Sequence, residues 1–143
     1  MPKSTATCNS VVNLMYRATA WANVADNAAS SPLTNTYVSL HTGSPGTGND
    51  QTVNETAYTN YARVAVARST GWAAASGGAT SNASTISFAQ CGTTGATLTY
   101  VAVGTASSST GNVWHYGALN SSLAVSSGIT PQFAASALTI TEA

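Results

Sequence analysis

The segment TLTYVAVGTASSSTGNVWHYGAL, residues 97–119, places two strand-like runs on either side of a short turn sequence. The runs, 97–106 and 112–119, are rich in β-branched and aromatic residues, which favour strands. Between them, SSSTG supplies the small polar residues and the glycine that are typical of a hairpin connection. The segment therefore predicts an antiparallel β-hairpin.

Similar short runs, separated by turn signals, occur on both sides of this hairpin. In 61–68, Ala62, Val64 and Val66 share one face and Arg63 lies on the other, which is the two-residue period of a strand. The further predicted strands are 36–42, 61–68 with a continuation through 71–75, 84–90, 123–128 and 133–141. About seven strands at short, regular spacing predict an all-β fold, a jelly-roll-like β-sandwich.

One helix is predicted ahead of the strands, over residues 10–27, because apolar residues recur there at helical spacing. Asn9 or Ser10 can cap its start, and Asn27 can help to end it. The helix is expected to pack either on its own sheet or on a neighbouring subunit. No long linker interrupts the sequence, so we expect a single domain over 1–143, with the sandwich at about 36–141.

The composition is unusual in its charge. Of 143 residues, 43% are hydrophobic and 6% are charged, against about 25% charged in an average domain. Four basic and four acidic residues give a net charge of zero. We therefore expect no nucleic acid or membrane as a partner, because neither a basic footprint nor a polybasic patch is present. A neutral surface favours association with other proteins, although a robust monomer with a Thr-rich surface is the alternative.

Groups suited to catalysis are sparse. His41 and His115 are the only histidines, the residue type best suited to acid-base catalysis near neutral pH, and no carboxylate has the motif context of a Ser-His-Asp site. Cys8 and Cys91 lack CxxC spacing and form no metal-ligand pattern with the histidines. We therefore expect no enzyme, metal or cofactor, and free thiols. We also expect no signal peptide in MPKSTATCNS and no membrane-spanning segment.

A polar stretch, 43–57, follows the strand 36–42 and contains Gly43, Gly46 and Gly48. A phosphate-binding P-loop would continue into Gly-Lys-Ser/Thr, and a dinucleotide loop would open a helix. Here no lysine follows, and the chain leads into another strand. The stretch is therefore interpreted as a long loop whose uncharged turn residues lie flat against another protein.

The order of these segments resembles a family of small virion structural proteins of tailed bacteriophages. The resemblance begins with TYVSLHTGSPG, continues through YARVAVA and NASTISFAQC, and includes the hairpin segment. It ends with SSGITPQFAASALTITEA, in which Ala135 and Ser136 stand where the family usually has a glycine. The similarity extends over nearly the whole chain, but its motifs are mostly strand and turn residues.

Within this group, the chain is most similar to capsid cement, or decoration, proteins. The resemblance implies a jelly roll on the outer capsid surface that clamps neighbouring major capsid proteins and stabilises the shell against genome pressure. The implied partners are the major capsid protein and further copies of this chain, with a homodimer favoured over a trimer. Assembly would take place in the host bacterial cytoplasm. The alternative is a tail-fibre or baseplate module that contacts host glycans.

Large aromatic rings and the polar loop supply the candidate interface, because aromatic residues anchor interfaces as well as cores. The loop 43–57 and the N-terminal segment are expected to reach across to neighbouring subunits. The candidate residues are Tyr16, Trp21, His41, Pro45, Asn49, Asp50, Glu55, Tyr58, Trp72 and Trp114. A hydrolase that uses His41 or His115 is a third hypothesis.

Overall fold

A computed structural model of the chain describes residues 3–25 and 32–142. In these ranges, helix α1 (Thr5–Arg17) is followed by β1 (Asn35–His41), β2 (Val64–Ala67), β3 (Ala79–Ser81), β4 (Ile86–Ser87), β5 (Ala96–Gly104), β6 (Val113–Val125), β7 (Gln132–Phe133) and β8 (Thr139–Thr141). One sheet has the order β2-β1-β5-β6, and two smaller sheets pair β3 with β8 and β4 with β7. The predicted all-β class with an N-terminal helix is confirmed, and the jelly-roll arrangement stays a prediction.

The chain divides into two compact units, each with its own buried side chains. Unit 1 takes its described residues from Met1–Asn35, Val66–Ile86 and Phe133–Ala143, and unit 2 from Thr36–Ala65 and Ser87–Gln132. The buried apolar residues of unit 1 are Cys8, Val12, Tyr16, Val66, Trp72, Ile86, Leu138 and Ile140. Those of unit 2 are Val38, Leu40, Tyr58, Phe88, Cys91, Leu98, Val101, Ala102, Val103 and Val125. Both cysteines are free thiols.

Helix α1 begins and ends earlier than the sequence predicts. Ser4 is the N-cap, and its Oγ accepts a hydrogen bond from the Thr7 N–H at 3.2 Å. The helix ends where Ala18 adopts a left-handed conformation with φ 52°. Residues 18–25 are not helical and contain a turn, and predicted positions 26 and 27 lie outside the described residues. The apolar spacing predicted too late an end for the helix, because alanines continue the helical pattern past the point where the backbone turns.

The predicted cap residue Asn9 has a different role. Its Oδ1 accepts the N–H of Gly78 at 2.6 Å, and the Oδ1 of Asn13 accepts the N–H of Ala75 at 3.0 Å. These bonds attach the helix to another segment of unit 1. At its C-terminal end, the buried Arg68 donates to the carbonyl oxygens of Leu14 and Met15, groups that a helix end leaves without intrahelical partners.

The large sheet contains the predicted hairpin. β5 and β6 pair antiparallel, with Val103 opposite His115 and Tyr100 opposite Ala118. The next aligned pair is Leu98 with Leu123, so β6 advances five residues while β5 advances two. Residues 119–122 therefore form a β-bulge. The predicted strands 112–119 and 123–128 are thus two halves of one strand, separated at the bulge.

Four other predicted segments are shorter, divided or absent, and one of them, 84–90, contains only β4. The run 61–68 contains only β2, and 133–141 is divided into β7 and β8. No strand covers 71–75, where Trp72 instead forms an isolated bridge with Asn82. The Asn82 amide explains part of this irregularity, because it donates to Ser84 and Ala134 carbonyls and accepts the Leu138 N–H, each at 2.8 Å. These side-chain bonds take the place of regular strand pairing.

Candidate functional site

An open groove of about 570 Å³ lies in unit 2. Residues 55–63 form one part of its lining, and Ser107, Ser108 and Ser109 form the other. The second part belongs to the connection between β5 and β6. The groove is therefore lined by the chain that leads into β2 and by the turn of the central hairpin.

The Arg63 side chain connects these two parts and also forms an ion pair with Glu55. The Arg63 Nε donates to Glu55 Oε1 and its Nη2 to Oε2, both at 2.7 Å. The same guanidinium donates to the carbonyl oxygens of Ala106 at 2.9 Å and Ser109 at 2.7 Å. The Arg63 side chain is only 2% exposed and that of Glu55 15%. The planar guanidinium of Arg63 is suited to this bidentate contact with a carboxylate.

Tyr61 adds a third member to this cluster. Its hydroxyl donates to Glu55 Oε1 at 2.8 Å and accepts the backbone N–H of Leu40 at 3.1 Å. Burial strongly raises the pKa of Tyr61, so the phenol keeps its proton and remains a donor. The ring lies edge-on to Tyr58, with centroids 5.3 Å apart, and stacks on Phe88 at 6.3 Å.

The cluster leaves the groove without net charge. The hydrogen bonds that Arg63 donates to Glu55 raise the pKa of Arg63, so the guanidinium stays charged and balances the carboxylate. The other lining residues are alanine, serine, threonine, asparagine and tyrosine. This lining offers hydroxyl and amide groups for hydrogen bonding but no histidine or cysteine to act as a base or nucleophile.

The polar stretch 43–57 folds back onto unit 2. Its C-terminal part pairs with the chain just before it, since the Thr42 N–H donates to the Asn54 carbonyl and the Thr56 N–H to the Leu40 carbonyl, both at 2.9 Å. Asn49 donates to the Asn112 side chain at 3.1 Å. The loop therefore contacts its own unit, and its expected contact with a neighbouring subunit stays a prediction.

Gln51 is the centre of that contact. Its side chain is fully buried. Nε2 donates to the Tyr37 carbonyl at 3.3 Å, and Oε1 accepts the Ala106 N–H at 3.2 Å. Gly104 makes room for it, because a Cβ at that position would lie 2.3 Å from both Gln51 Cδ and the Asn112 carbonyl oxygen. The loop therefore depends on a glycine in β5.

His41 and Ser39 form a buried pair beneath the loop. The His41 Nδ1 lies 2.9 Å from the Val53 carbonyl oxygen, which can only accept, so Nδ1 carries the proton. Nε2 lies 2.9 Å from the Ser39 hydroxyl and accepts from it. Burial lowers the pKa of His41, and the bond to Val53 offsets part of this effect. Both side chains are fully buried, so this Ser-His pair holds the loop and has no access to a substrate.

The structure separates the predicted interface residues into two groups. Tyr16, His41, Pro45, Tyr58 and Trp72 are buried, whereas Trp21, Asn49, Asp50, Glu55 and Trp114 are partly or fully exposed. Tyr16 and Trp72 contact each other edge to face in unit 1, with centroids 4.9 Å apart. The buried group thus serves the cores of the two units, and no contact with a partner chain tests the exposed group.

Sequence reasoning missed Gln51, Tyr61 and Arg63. The period of the run 61–68 placed Arg63 on the polar face of a strand, but β2 begins only at Val64. Ala62, expected in the core, is exposed. The small number of charged residues could have indicated this ion pair. Because the chain has only four basic and four acidic residues, an arginine and a glutamate eight positions apart are candidates for pairing.

Among residues 3–25 and 32–142, no group of three or more potential ligand side chains is arranged to hold a metal ion. In the same ranges, no helix has the length and apolar character needed to cross a membrane. Asp50 accepts hydrogen bonds from the hydroxyl and the N–H of Thr52 at 2.7 and 2.8 Å, and these bonds lower the pKa of its carboxyl group.

Comparison with known families gives a match over almost the full sequence. The family model for the Podophage GP4 fiber I protein gp80 matches residues 2–141. No curated protein sequence matches the chain. The match confirms the expected kinship with virion structural proteins of phages, but the family it names is one of fibre proteins and not of capsid cement proteins. The chain therefore belongs to the Podophage GP4 fiber I protein gp80 family, a family of bacteriophage virion structural proteins.

Proposed function

We propose that the protein is a structural module of a phage tail fibre. The observation that carries this proposal is the family match over residues 2–141, because the matching family is described as a fibre protein. The match favours the tail-fibre alternative over capsid cement. Within the proposal, the protein acts by binding other virion proteins and has no catalytic role.

The chemistry of unit 2 supports a structural role. The charged groups of the groove are neutralised by their own ion pair, and the loop 43–57 uses Gln51 and His41 to bind its own unit. Buried, hydrogen-bonded polar networks of this kind favour one well-defined arrangement. A module that must keep its shape while carrying mechanical load at the virion surface benefits from such internal fixation.

The net charge of zero also supports assembly with other proteins. Repulsion between copies is weak in such a chain, and a charge near zero promotes association. Repeated contacts between copies in one particle add through multivalency, so each contact can be modest. A fibre needs these properties, and they require no cofactor.

Copy number in the virion tests the proposal. Purified particles of the phage that encodes this chain would be digested and quantified by mass spectrometry with isotope-labelled peptide standards. The portal and major capsid proteins serve as internal references. A tail-fibre module is expected at a copy number in the range of the tail proteins. A copy number comparable to that of the major capsid protein would instead support a capsid cement protein.

A further inference from the structure

We propose that the groove of unit 2 binds an uncharged saccharide, with the Thr56 hydroxyl and the serine hydroxyls of the β5–β6 connection as its hydrogen-bonding groups. The site lies wholly within unit 2. Saccharide binding there holds or fails independently of where on the virion the protein sits. Three features point to it: a buried hydroxyl without a partner, a lining of neutral polar groups, and walls that are already fixed.

The Thr56 hydroxyl is a buried polar group that the fold leaves unused. Thr56 lines the groove and is 4% exposed. Its backbone N–H donates to the Leu40 carbonyl at 2.9 Å, but its Oγ1 has no hydrogen-bond partner within residues 3–25 and 32–142. A buried hydroxyl without a partner costs stability, and native proteins contain few such groups. A ligand hydroxyl in the groove would supply the missing hydrogen bond.

The serines of the β5–β6 connection add further hydroxyl groups. Ser107, Ser108 and Ser109 are exposed and line the groove. The connection is held through the Ser109 carbonyl, which accepts from Arg63 at 2.7 Å, so this bond leaves the serine hydroxyls for other contacts. Each hydroxyl can donate one hydrogen bond and accept two. Sugar hydroxyls have the same capacity, and the two sets complement each other.

The charge balance of the lining favours a neutral ligand. Glu55 and Arg63 are the charged residues of the lining, and they neutralise each other through two hydrogen bonds of 2.7 Å. A charged ligand would lose its hydration in the groove without meeting an unpaired opposite charge, which is unfavourable. A neutral saccharide brings many hydroxyls and no charge.

A peptide suits this lining less well. Common modes of peptide recognition use a strand edge, an apolar groove, an aromatic groove for proline-rich segments, or an arginine cluster. Residues 55–63 and 107–109 lie outside strands β1–β8, so they offer no strand edge. The arginine of the lining is already paired with Glu55.

The walls of the groove are fixed before a ligand arrives. The Tyr61 hydroxyl bonds to both Glu55 and Leu40, and its ring contacts Tyr58 and Phe88. A preorganised site loses little conformational entropy on binding. Its volume of about 570 Å³ falls within the range of about 300–1,000 Å³ that is usual for small-molecule sites. Tyr61 is partly exposed, and its ring offers an apolar surface to the C–H groups of a sugar.

An NMR titration of the isotope-labelled, full-length chain tests the site. The neutral probes are maltotriose, mannotriose and tri-N-acetylchitotriose. Trigalacturonate is the anionic probe, and the hexapeptide Ser-Gly-Ala-Ser-Gly-Ala represents a neutral peptide. We expect at least one neutral trisaccharide, at concentrations up to about 20 mM, to shift the backbone resonances of 55–63 and 107–109. Trigalacturonate and the peptide should shift them less.

Thr56→Val and Thr80→Val form a matched pair that separates binding from folding. Both threonines are 4% exposed, but the Thr80 Oγ1 donates to the Ala73 carbonyl at 2.7 Å in unit 1. Thr56→Val should weaken saccharide binding about fivefold. Its melting temperature should be unchanged or higher, because the substitution removes a hydroxyl that has no partner. Thr80→Val should melt at a lower temperature and keep the wild-type affinity.

A titration in which no neutral trisaccharide shifts the groove resonances would overturn the proposal, and so would shifts caused by the peptide alone. Wild-type affinity in a correctly folded Thr56→Val variant would also overturn it. The combined substitutions Ser107→Ala and Ser108→Ala, at exposed positions, provide an independent check. They should weaken binding without lowering the melting temperature, and unchanged binding would contradict the role of the serine hydroxyls.

Discussion

Arg63 and Glu55 share two hydrogen bonds of 2.7 Å, one from Nε and one from Nη2 of the guanidinium. They lie eight residues apart, yet the same arginine also binds carbonyl oxygens of Ala106 and Ser109 in the β5–β6 connection. One buried charge therefore joins the segment 55–63 to the central hairpin. These two parts line the groove.

Replacement of Arg63 by lysine should destabilise the protein by about 3 kcal/mol, the order seen when a buried ion pair is broken. An ammonium group cannot reproduce the fork and cannot reach both Glu55 oxygens and both carbonyl oxygens. Urea unfolding of Arg63→Lys measures the loss. Arg17→Lys is the control, because the Arg17 contact to the Trp72 carbonyl is a single bond of 2.8 Å. A loss in Arg63→Lys no larger than in the control would contradict the assigned role.

Replacement of Gly104 by alanine should cost about 2 kcal/mol, because the new methyl group would overlap Gln51 and the Asn112 carbonyl oxygen. Gly117→Ala is a matched control in the same sheet, since nothing lies within 4 Å of a Cβ at that position. Thermal unfolding of both variants gives the comparison. Equal melting temperatures would show that the loop does not depend on the close approach at Gly104.

His41 should make stability depend on pH. Burial lowers its pKa in the folded protein below the ordinary value of 6.5, so the unfolded chain binds a proton at higher pH than the folded one. The contribution is therefore complete above about pH 6.5 and is lost as the pH falls from there toward the lower folded pKa. The urea concentration at the unfolding midpoint should therefore fall as the pH is lowered from about 8 to about 5.

His41→Asn tests the assignment, because an amide can donate to the Val53 carbonyl but does not titrate. The variant should be less stable at pH 8 and should show a smaller decline on acidification. An unchanged pH dependence in His41→Asn would assign the effect to another group.

Asn82 is expected to be essential to unit 1. It is fully buried, and its amide satisfies three backbone groups. Asn82→Ala leaves these groups without partners and should cost about 3 kcal/mol. Asn120→Ala, at an exposed position in the β6 bulge, should change stability by less than about 0.5 kcal/mol. Thermal unfolding followed by circular dichroism compares the two variants. Equal melting temperatures would contradict the role of Asn82.

The strand content and the hairpin could be predicted from local pattern. Alternation and turn residues act over a few positions, and the segment 97–119 contains both strands and their connection. The helix was misplaced for a related reason. The apolar periodicity of the helix is local, but its bounds are not set by that periodicity. The helix begins at the Ser4 cap and ends where Ala18 adopts a left-handed conformation.

The polar cores could not be predicted in the same way. Gln51 bonds to Ala106 and Asn82 to Ala134, over separations of 55 and 52 residues. Such contacts depend on the tertiary fold, and a lone sequence gives no indication of them. Asparagine and glutamine are mostly exposed in proteins, so composition points away from their burial here. Aromatic residues were equally ambiguous, since Trp72 is buried while Tyr116 is exposed.

The location of the protein on the particle tests the central claim most directly. An epitope-tagged copy of the chain in infectious virions, labelled with gold-conjugated antibody and imaged by electron microscopy, gives that location. We expect gold particles at the tail and its fibres, with untagged virions unlabelled. Gold distributed over the capsid surface, with none at the tail, would contradict the proposed fibre role.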